Sequence, residues 1–115
     1  MVDFPVEADE LDRQIEQARR AAQLNELMEP RARWVKYEPE TNEVVIGLRS
    51  GAVFRFPVEI AQGIAGAVPE LVARVELTPA GDGLHWEALD VDLSVPQLLA
   101  GRFGTREWME RLAVV

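Results

Sequence analysis

The amino-acid sequence predicts an α+β fold in which a long N-terminal helix precedes an antiparallel sheet of about five strands with short helices. Residues 7–29 carry apolar side chains at helical spacing, which indicates one amphipathic helix. Residues 31–56 contain short runs rich in β-branched and aromatic residues, separated by turn residues, as strands do. Strand and helix patterns then follow each other without regular βαβ alternation, which favours an antiparallel sheet. The predicted order is helix, three strands, helix, two strands, helix and helix.

Three features predict the first helix: acidic residues in its first turns, apolar residues at helical spacing and a proline after its last turn. Asp9 and Glu10 lie in its first turns, near the positive end of the helix dipole, and Pro30 ends it. Its apolar positions step by four, three and four residues and therefore share one face: Leu11, Ile15, Ala18 and Ala22. This stripe must pack on something, which is either the chain's own sheet or a second copy or partner protein. We accordingly divide the chain into an amphipathic helix, residues 1–30, and a single α+β domain, residues 31–115.

The remaining elements follow from local patterns. They are strands at 31–38, 43–49 and 52–56, a short helix within 57–69, strands at 71–77 and 84–86, and helices at 95–101 and 106–112. Alternation in the first strand places Ala32 and Trp34 on one face and Val35 and Tyr37 on the other. The last two helices have hydroxyl residues at their start, Ser94 and Thr105, which are favoured N-caps.

The loop between the second and third strands can be predicted from register. A three-residue loop, residues 49–51, pairs Leu48 with Ala52 and brings the apolar positions of both strands to one face. A two-residue loop would pair Leu48 with Val53 and put them on opposite faces. The longer loop also places Gly51 at its third position, where a positive φ is needed.

Composition excludes several classes of protein. The 115 residues fit one domain. Without cysteine, disulfide and thiolate chemistry are excluded and a reducing compartment is allowed. The N-terminus has neither the basic region nor the apolar run of a signal peptide, and no apolar stretch is long enough for a membrane span. We therefore expect a bacterial protein of the cytoplasm with no contact to a membrane.

Basic and aromatic residues interleave on the first predicted strand, where Arg31, Arg33 and Lys36 lie beside Trp34 and Tyr37. Such a pattern can form a stacking platform for nucleic acid. The other interpretation is that Trp34 belongs to the core and the basic residues flank it. A net charge of −8 opposes binding to phosphates, so nucleic acid is not the expected ligand. The same charge would steer association with a basic protein.

A second pattern covers roughly residues 44–101. Its elements are Leu48-x-x-Gly51, Phe56-Pro57, Leu71 with the strand to Leu77, the run Gly83-Leu84-His85-Trp86-Glu87-Ala88-Leu89-Asp90-Val91-Asp92-Leu93, and Leu98-Leu99-x-Gly101. This pattern resembles DUF2442, a small and mostly bacterial family of domains of unknown function. The resemblance implies a compact α+β domain and no assigned reaction. Some members are encoded beside another small protein in pairs that suggest toxin and antitoxin. Some longer members carry a helix-turn-helix, for which residues 105–115 are too short here.

The run after Gly83 also holds the side chains best suited to catalysis or metal binding: His85, Glu87, Asp90 and Asp92. Histidine and carboxylates are apt ligands for zinc, manganese or iron, so a metal-dependent hydrolase is the alternative function. Strand alternation separates His85 and Glu87 from Trp86, and both aspartates follow a bend, so no established ligand spacing results. The structural interpretation has Trp86 and later apolar residues anchoring the core, with Asp90 in a turn.

Other catalytic patterns lack support in the sequence. Only two serines occur, Ser50 in a predicted turn and Ser94 at a predicted helix cap, and neither lies in a nucleophile elbow. We therefore expect a non-enzymatic protein-interaction module, accessory or antitoxin-like, with no cofactor. Its docking element would be the N-terminal helix, with Leu11, Ile15, Ala18 and Ala22 as contacts. The partner would be another protein, basic in charge, or a second copy of the chain.

Overall fold

The computed structural model describes the backbone of residues 4–113 and, within the first helix, the side chains of residues 8–24 and 28. The helices are α1 (Phe4–Met28), α2 (Pro69–Val72), α3 (Val95–Leu99) and α4 (Arg106–Ala113), with a 3-10 turn at Val58–Ile60. The strands are β1 (Ala32–Glu38), β2 (Glu43–Leu48), β3 (Val53–Pro57), β4 (Glu76–Leu77), β5 (Gly83–Trp86) and β6 (Val91–Ser94). They form two antiparallel sheets, β1-β2-β3 and β4-β5-β6. The α+β class and the N-terminal helix are confirmed. The prediction of one sheet with about five strands is wrong.

The hairpin between β2 and β3 has the predicted register. Ile46 pairs with Phe54, and the Leu48 amide donates to the carbonyl of Ala52 over 2.8 Å. Gly51 has a φ of 97°, a conformation that costs glycine nothing and an L-residue about 1–2 kcal/mol. The three-residue loop is therefore confirmed, and it aligns the apolar positions of both strands on the core face.

A β-bulge near the start of β1 overturns the predicted faces of that strand. Ala32 pairs with Leu48 and Trp34 with Gly47, so two steps along β1 match one step along β2. An extra residue in one strand shifts every later side chain to the opposite face. Ala32 is therefore buried in the core and the partly buried Val35 packs against it, whereas Trp34 lies on the outer face.

The segment between β3 and β4 also differs from the prediction. Gly63 and Gly66 have φ values of 93° and 79°, which interrupt the helix predicted within 57–69. Pro69 begins α2 instead of ending a helix, because its fixed φ suits the first helical position. Of the strand predicted at 71–77, only Glu76–Leu77 pairs with β5.

The second sheet contains one strand that the pattern did not predict. The predicted hairpin of β4 with β5 is confirmed, but after a turn at residues 87–90 the chain continues as β6 and pairs with β5. The two predicted helix caps are confirmed. The Ser94 hydroxyl accepts from the Gln97 amide over 3.3 Å, and the Thr105 hydroxyl from the Trp108 amide over 3.2 Å.

One core joins both sheets and α3. Its largest side chain is Trp86, which is fully buried and donates from Nε1 to the Val72 carbonyl over 2.9 Å. Partly buried Leu89, Val91 and Leu93 pack against this core, in agreement with their predicted anchoring role. We refer to residues 32–113, which contain this core, as the folded body.

α1 makes the molecule long. The radius of gyration is 19.8 Å and the extents are 71 × 31 × 25 Å, whereas a compact chain of this length has a radius of gyration of about 13 Å. A 25-residue helix is about 37 Å long, which accounts for the elongation. Within the described residues 4–113, none of the helices has the length and apolarity needed to cross a membrane.

Candidate functional site

The predicted stripe of α1 is exposed to solvent along its length. Leu11 is 56% exposed and Ile15 is 47% exposed, and Ala18 and Ala22 are exposed as well. The interpretation that the stripe packs on the chain's own sheet is therefore wrong. The spacing of apolar residues identified which residues share a face, but it carries no information about what covers that face.

The polar positions of α1 hold ion pairs one turn apart. Arg13 lies 3.7 Å from Glu10, and Glu16 lies 3.8 Å from Arg19 and 3.4 Å from Arg20. Exposed pairs of this kind stabilise a helix by a few tenths of a kcal/mol each. They support the helix without covering its apolar stripe.

α1 joins the folded body at a polar connection. The guanidinium groups of Arg31 and Arg49 both donate to the Ala80 carbonyl, over 3.3 and 3.2 Å, and the Ala32 amide donates to the Gly81 carbonyl over 2.7 Å. These bonds tie the start of β1 to the loop between β4 and β5. They fix the position at which the chain leaves α1 and enters the first sheet.

The hairpin of β5 and β6 brings two of the four predicted ligand residues together. His85 is the cross-strand neighbour of Asp92, and its Nδ1 lies 2.7 Å from Asp92 Oδ1. On its other side His85 pairs with Glu76 of β4. The side chain points away from the core, since its neighbours Leu84 and Trp86 are fully buried. The predicted separation of His85 from Trp86 is confirmed. The chain turns before Asp92, as predicted, and this turn brings the Asp92 carboxylate beside His85, which the sequence pattern did not predict.

The carboxylates around His85 favour its protonated form. The hydrogen bond to Asp92 raises the pKa of the imidazole above its ordinary value. Partial desolvation lowers this pKa, but the negative charges of Asp92, Glu87 and Glu76 raise it further. The side chain is 34% exposed and that of Asp92 is 73% exposed. The pair is therefore a surface ion pair and hydrogen bond in mildly acidic solution.

The other two predicted ligand residues lie in the turn that links the strands. Glu87 begins this turn and Asp90 ends it with a φ of 52°, its amide donating to the Glu87 carbonyl over 3.1 Å. Among the side chains that the structure describes, no three histidine or acidic residues come together in a way that could hold a metal ion. The arrangement supplies two donor groups, His85 and Asp92, and these already bond each other.

The outer face of the first sheet carries Trp34, which one of the two interpretations of the sequence placed in the core. Trp34 is 40% exposed, and its ring lies against Gly47 so closely that a Cβ there would overlap it. Val53 on the other side of Gly47 is 55% exposed, and the Lys36 ammonium lies 5.8 Å from the Trp34 ring centre. Only the β-bulge explains this placement, and alternation alone could not reveal it.

Charges on this outer face balance each other. Arg55 lies 3.0 Å from Glu38 and 3.3 Å from Glu43, and Lys36 lies 3.4 Å from Glu38. The hydrogen bond from Arg55 holds the pKa of the Glu38 carboxyl below its ordinary value. Tyr37 faces the core side, where its hydroxyl donates to Asn42 over 2.7 Å. On the outer face, Lys36 and Arg55 are therefore each paired with a carboxylate.

The family described as "Protein of unknown function (DUF2442)" matches residues 32–104, which span the folded body from β1 to the residue before the Thr105 cap. No curated protein matches the chain significantly. The matched segment excludes α1, so the exposed helix lies outside the region that defines the family.

Two solved structures share the fold. A protein of unknown function from Rhodospirillum rubrum, known from a crystal structure at 2.75 Å resolution, is 48% identical with a TM-score of 0.68, covering 70% of this chain and 98% of that one. An uncharacterized protein from Chromobacterium violaceum, known from a solution NMR structure, is 30% identical with a TM-score of 0.66, covering 83% of this chain and 86% of that one.

Proposed function

Since the chain belongs to the DUF2442 family, which carries no assigned activity, we propose its role from its own surfaces: it is a non-enzymatic interaction module that binds a protein through α1. In this role it is an accessory protein of the bacterial cytoplasm, antitoxin-like in that it acts by binding. The two similar structures come from bacteria, which supports the bacterial source.

The exposed stripe of α1 carries this proposal. Most of the stability of a helix in a protein comes from packing an apolar face rather than from helix propensity. The described part of α1 has no buried residue, and Leu11 and Ile15 remain about half exposed. Fully burying an exposed side chain of this size is worth about 1.5–3 kcal/mol. Because Leu11 and Ile15 are already about half covered, a partner that covers both would gain about half of that at each.

The chemistry of the folded body supports binding over catalysis. Among the described residues no polar or charged side chain is buried, whereas catalytic groups are usually held in desolvated clefts that shift their pKa values. The His85–Asp92 pair lies on an open strand surface. A metal-dependent hydrolase centred on these residues has no third donor beside them, so we do not favour it.

Charge supports a protein partner as well. The first 30 residues contain eight acidic and three basic residues, a formal net charge of −5 out of −8 for the chain. A helix of this charge would be steered toward basic or locally complementary protein surfaces. The proposed contact residues are those of the stripe, Leu11, Ile15, Ala18 and Ala22.

The test compares two single substitutions that add the same charge to opposite faces of α1. Ile15→Glu alters the stripe, whereas Gln17→Glu lies about 200° away around the helix and serves as the matched control. We expect Ile15→Glu to abolish binding of a partner protein or of a second copy, while Gln17→Glu leaves this binding unchanged. Binding is measured by the mass of the assembly in native mass spectrometry and by affinity capture from the source bacterium. Equal behaviour of the two variants in both measurements would contradict the proposal.

A further inference from the structure

The spacing of the α1 stripe matches the seam of a two-helix coiled coil. Leu11, Ile15, Ala18 and Ala22 follow steps of four, three and four residues, which is the 3.5-residue period of heptad positions a and d. A helix that packs on a sheet usually has a wider apolar face. The seam is therefore suited to one other helix, and it is uncovered in the chain itself.

The sizes of the seam residues favour an antiparallel partner of the same sequence. Its two large residues, Leu11 and Ile15, precede its two small ones, Ala18 and Ala22. A parallel pair would stack alanine on alanine in two layers and leave gaps there, contrary to close packing. An antiparallel pair with Leu11 facing the partner's Ala22 and Ile15 facing the partner's Ala18 combines one large and one small residue in every layer.

The charges beside the seam agree with the same register. Asp12 and Arg19 both follow a d-position residue and so occupy e positions, where interhelical ion pairs select orientation. In the antiparallel register Asp12 lies beside the partner's Arg19, and the twofold axis repeats this pair. Arg19 is exposed and lies near Glu16 at 3.8 Å, a weak surface contact that a second carboxylate can supplement.

The acidic charge of α1 lies mostly outside this seam. Asp9, Glu10 and Glu16 occupy outward heptad positions, and solvent ions screen exposed charges beyond about 8 Å.

The size of the folded body also favours the antiparallel orientation. Paired helices lie about 8–10 Å apart, whereas the molecule measures 31 × 25 Å across its long axis. An antiparallel pair places the two bodies at opposite ends, where they do not compete for space.

We propose that α1 pairs antiparallel with α1 of a second copy, so that the chain forms a twofold-symmetric dimer through Leu11, Ile15, Ala18 and Ala22. The proposal rests on the proposed function, in which α1 is the docking element, and it names the partner.

Cross-linking tests the register directly, because the natural chain has no cysteine. Leu11→Cys and Ala22→Cys chains carry different tags and are treated with a short bismaleimide, separately and mixed. We expect adducts mainly in the mixture, since two copies of position 11 would lie about 16 Å apart along the antiparallel axis. Gln17→Cys, on the opposite face, is the control. Adducts of Leu11→Cys with itself would indicate a parallel pair and overturn the proposal.

A charge exchange tests the proposed ion pairs. Asp12→Arg and Arg19→Asp should each weaken the dimer about tenfold, because each places like charges at both pairs. An equal mixture of the two variants restores both pairs and should dimerise at least as tightly as the unmodified chain. If the mixture dimerised no more tightly than either variant alone, the proposed register would be wrong. Circular dichroism checks that the variants, which alter only exposed positions, retain their fold.

The outcomes separate this proposal from the one it rests on. A mass of 12.9 kDa at every concentration, without cross-links, would overturn the dimer. If Ile15→Glu still abolished capture of another protein while Gln17→Glu did not, α1 would remain the docking element. If Ile15→Glu changed neither mass nor capture, both proposals would be wrong.

Discussion

The folded body and α1 treat apolar side chains in opposite ways. In the body, Ile46, Phe56 and Trp86 are at most 1% exposed, whereas on α1 Leu11 and Ile15 are about half exposed. The two regions therefore place similar side chains in opposite surroundings. Side chains of the body set the stability of the fold, and side chains of the stripe are available to another molecule. Substitutions in the two regions should therefore have separable effects.

Replacing the buried tryptophan should lower the free energy of unfolding much more than replacing the exposed one. Trp86→Ala removes a fully buried ring and its hydrogen bond to Val72, and should lower the free energy of unfolding by about 3–5 kcal/mol. Trp34→Ala, at a ring that is 40% exposed, should lower it by about 1 kcal/mol or less. Urea unfolding followed by circular dichroism measures both. Equal losses would contradict the outward placement of Trp34.

The hairpin glycine should show an intermediate effect that arises only from the backbone. A Cβ at Gly51 would meet no atom within 4 Å, and the φ there is 97°. Gly51→Ala should therefore destabilise the body by about 1–2 kcal/mol, and Gly51→Asn by less, because asparagine tolerates the left-handed region. Thermal unfolding of the two variants gives the comparison. If alanine cost no more than asparagine, the three-residue loop would be wrong.

The His85–Asp92 pair should make a smaller, pH-dependent contribution. Because the folded-state pKa of His85 is raised above the ordinary value of about 6.5, its stabilising effect is complete below that value and is lost as pH rises through the folded-state pKa. Asp92→Asn should lower this pKa, while Asp90→Asn should change it little. His85 is the only histidine, so its imidazole proton resonances report the titration directly. An unchanged pKa in Asp92→Asn would exclude the pair from solution.

The smallest effect on stability is expected on the stripe. Ile15→Ala removes a side chain that is already 47% exposed, so the free energy of unfolding of the body should change by at most about 0.5 kcal/mol at concentrations where the chain is monomeric. Ile46→Ala, from a fully buried position, should cost about 2–5 kcal/mol. Urea unfolding compares the two. A large loss from Ile15→Ala in the monomer would show that the stripe packs on the body.

Local chemistry made some elements predictable. The Gly51 hairpin, the caps at Ser94 and Thr105 and the outward face of His85 each depend on neighbouring residues, and all agree with the structure. The bulge after Ala32 depends on how β1 meets β2, so alternation along one strand could not reveal it. The glycines at 63 and 66 look like weak helix residues in sequence, but each adopts a positive φ that redirects the chain.

The candidate site was predictable in its members but not in its surroundings. Periodicity predicted that four residues share one face of α1: Leu11, Ile15, Ala18 and Ala22. Their exposure depends on the direction in which α1 extends from the folded body, which is set by contacts at the connection around Arg31. The pairing of His85 with Asp92 required β6, whose alternating Val91, Asp92 and Leu93 were a signal for a strand. With a four-residue turn at residues 87–90, Trp86 pairs with Val91 and His85 therefore pairs with Asp92, so recognising β6 in the sequence was enough to predict the pair.

Hydrogen–deuterium exchange across a range of protein concentrations tests most directly whether α1 is held by another molecule rather than by the folded body. We expect amides of residues 8–24 to exchange rapidly in dilute protein and to become protected as the protein concentration rises. Amides of β2 and β5 should stay protected throughout, and Ile15→Glu should remove the concentration dependence. If residues 8–24 were already fully protected in the most dilute monomer, the helix would be stabilised within its own chain, and α1 would not be a docking element.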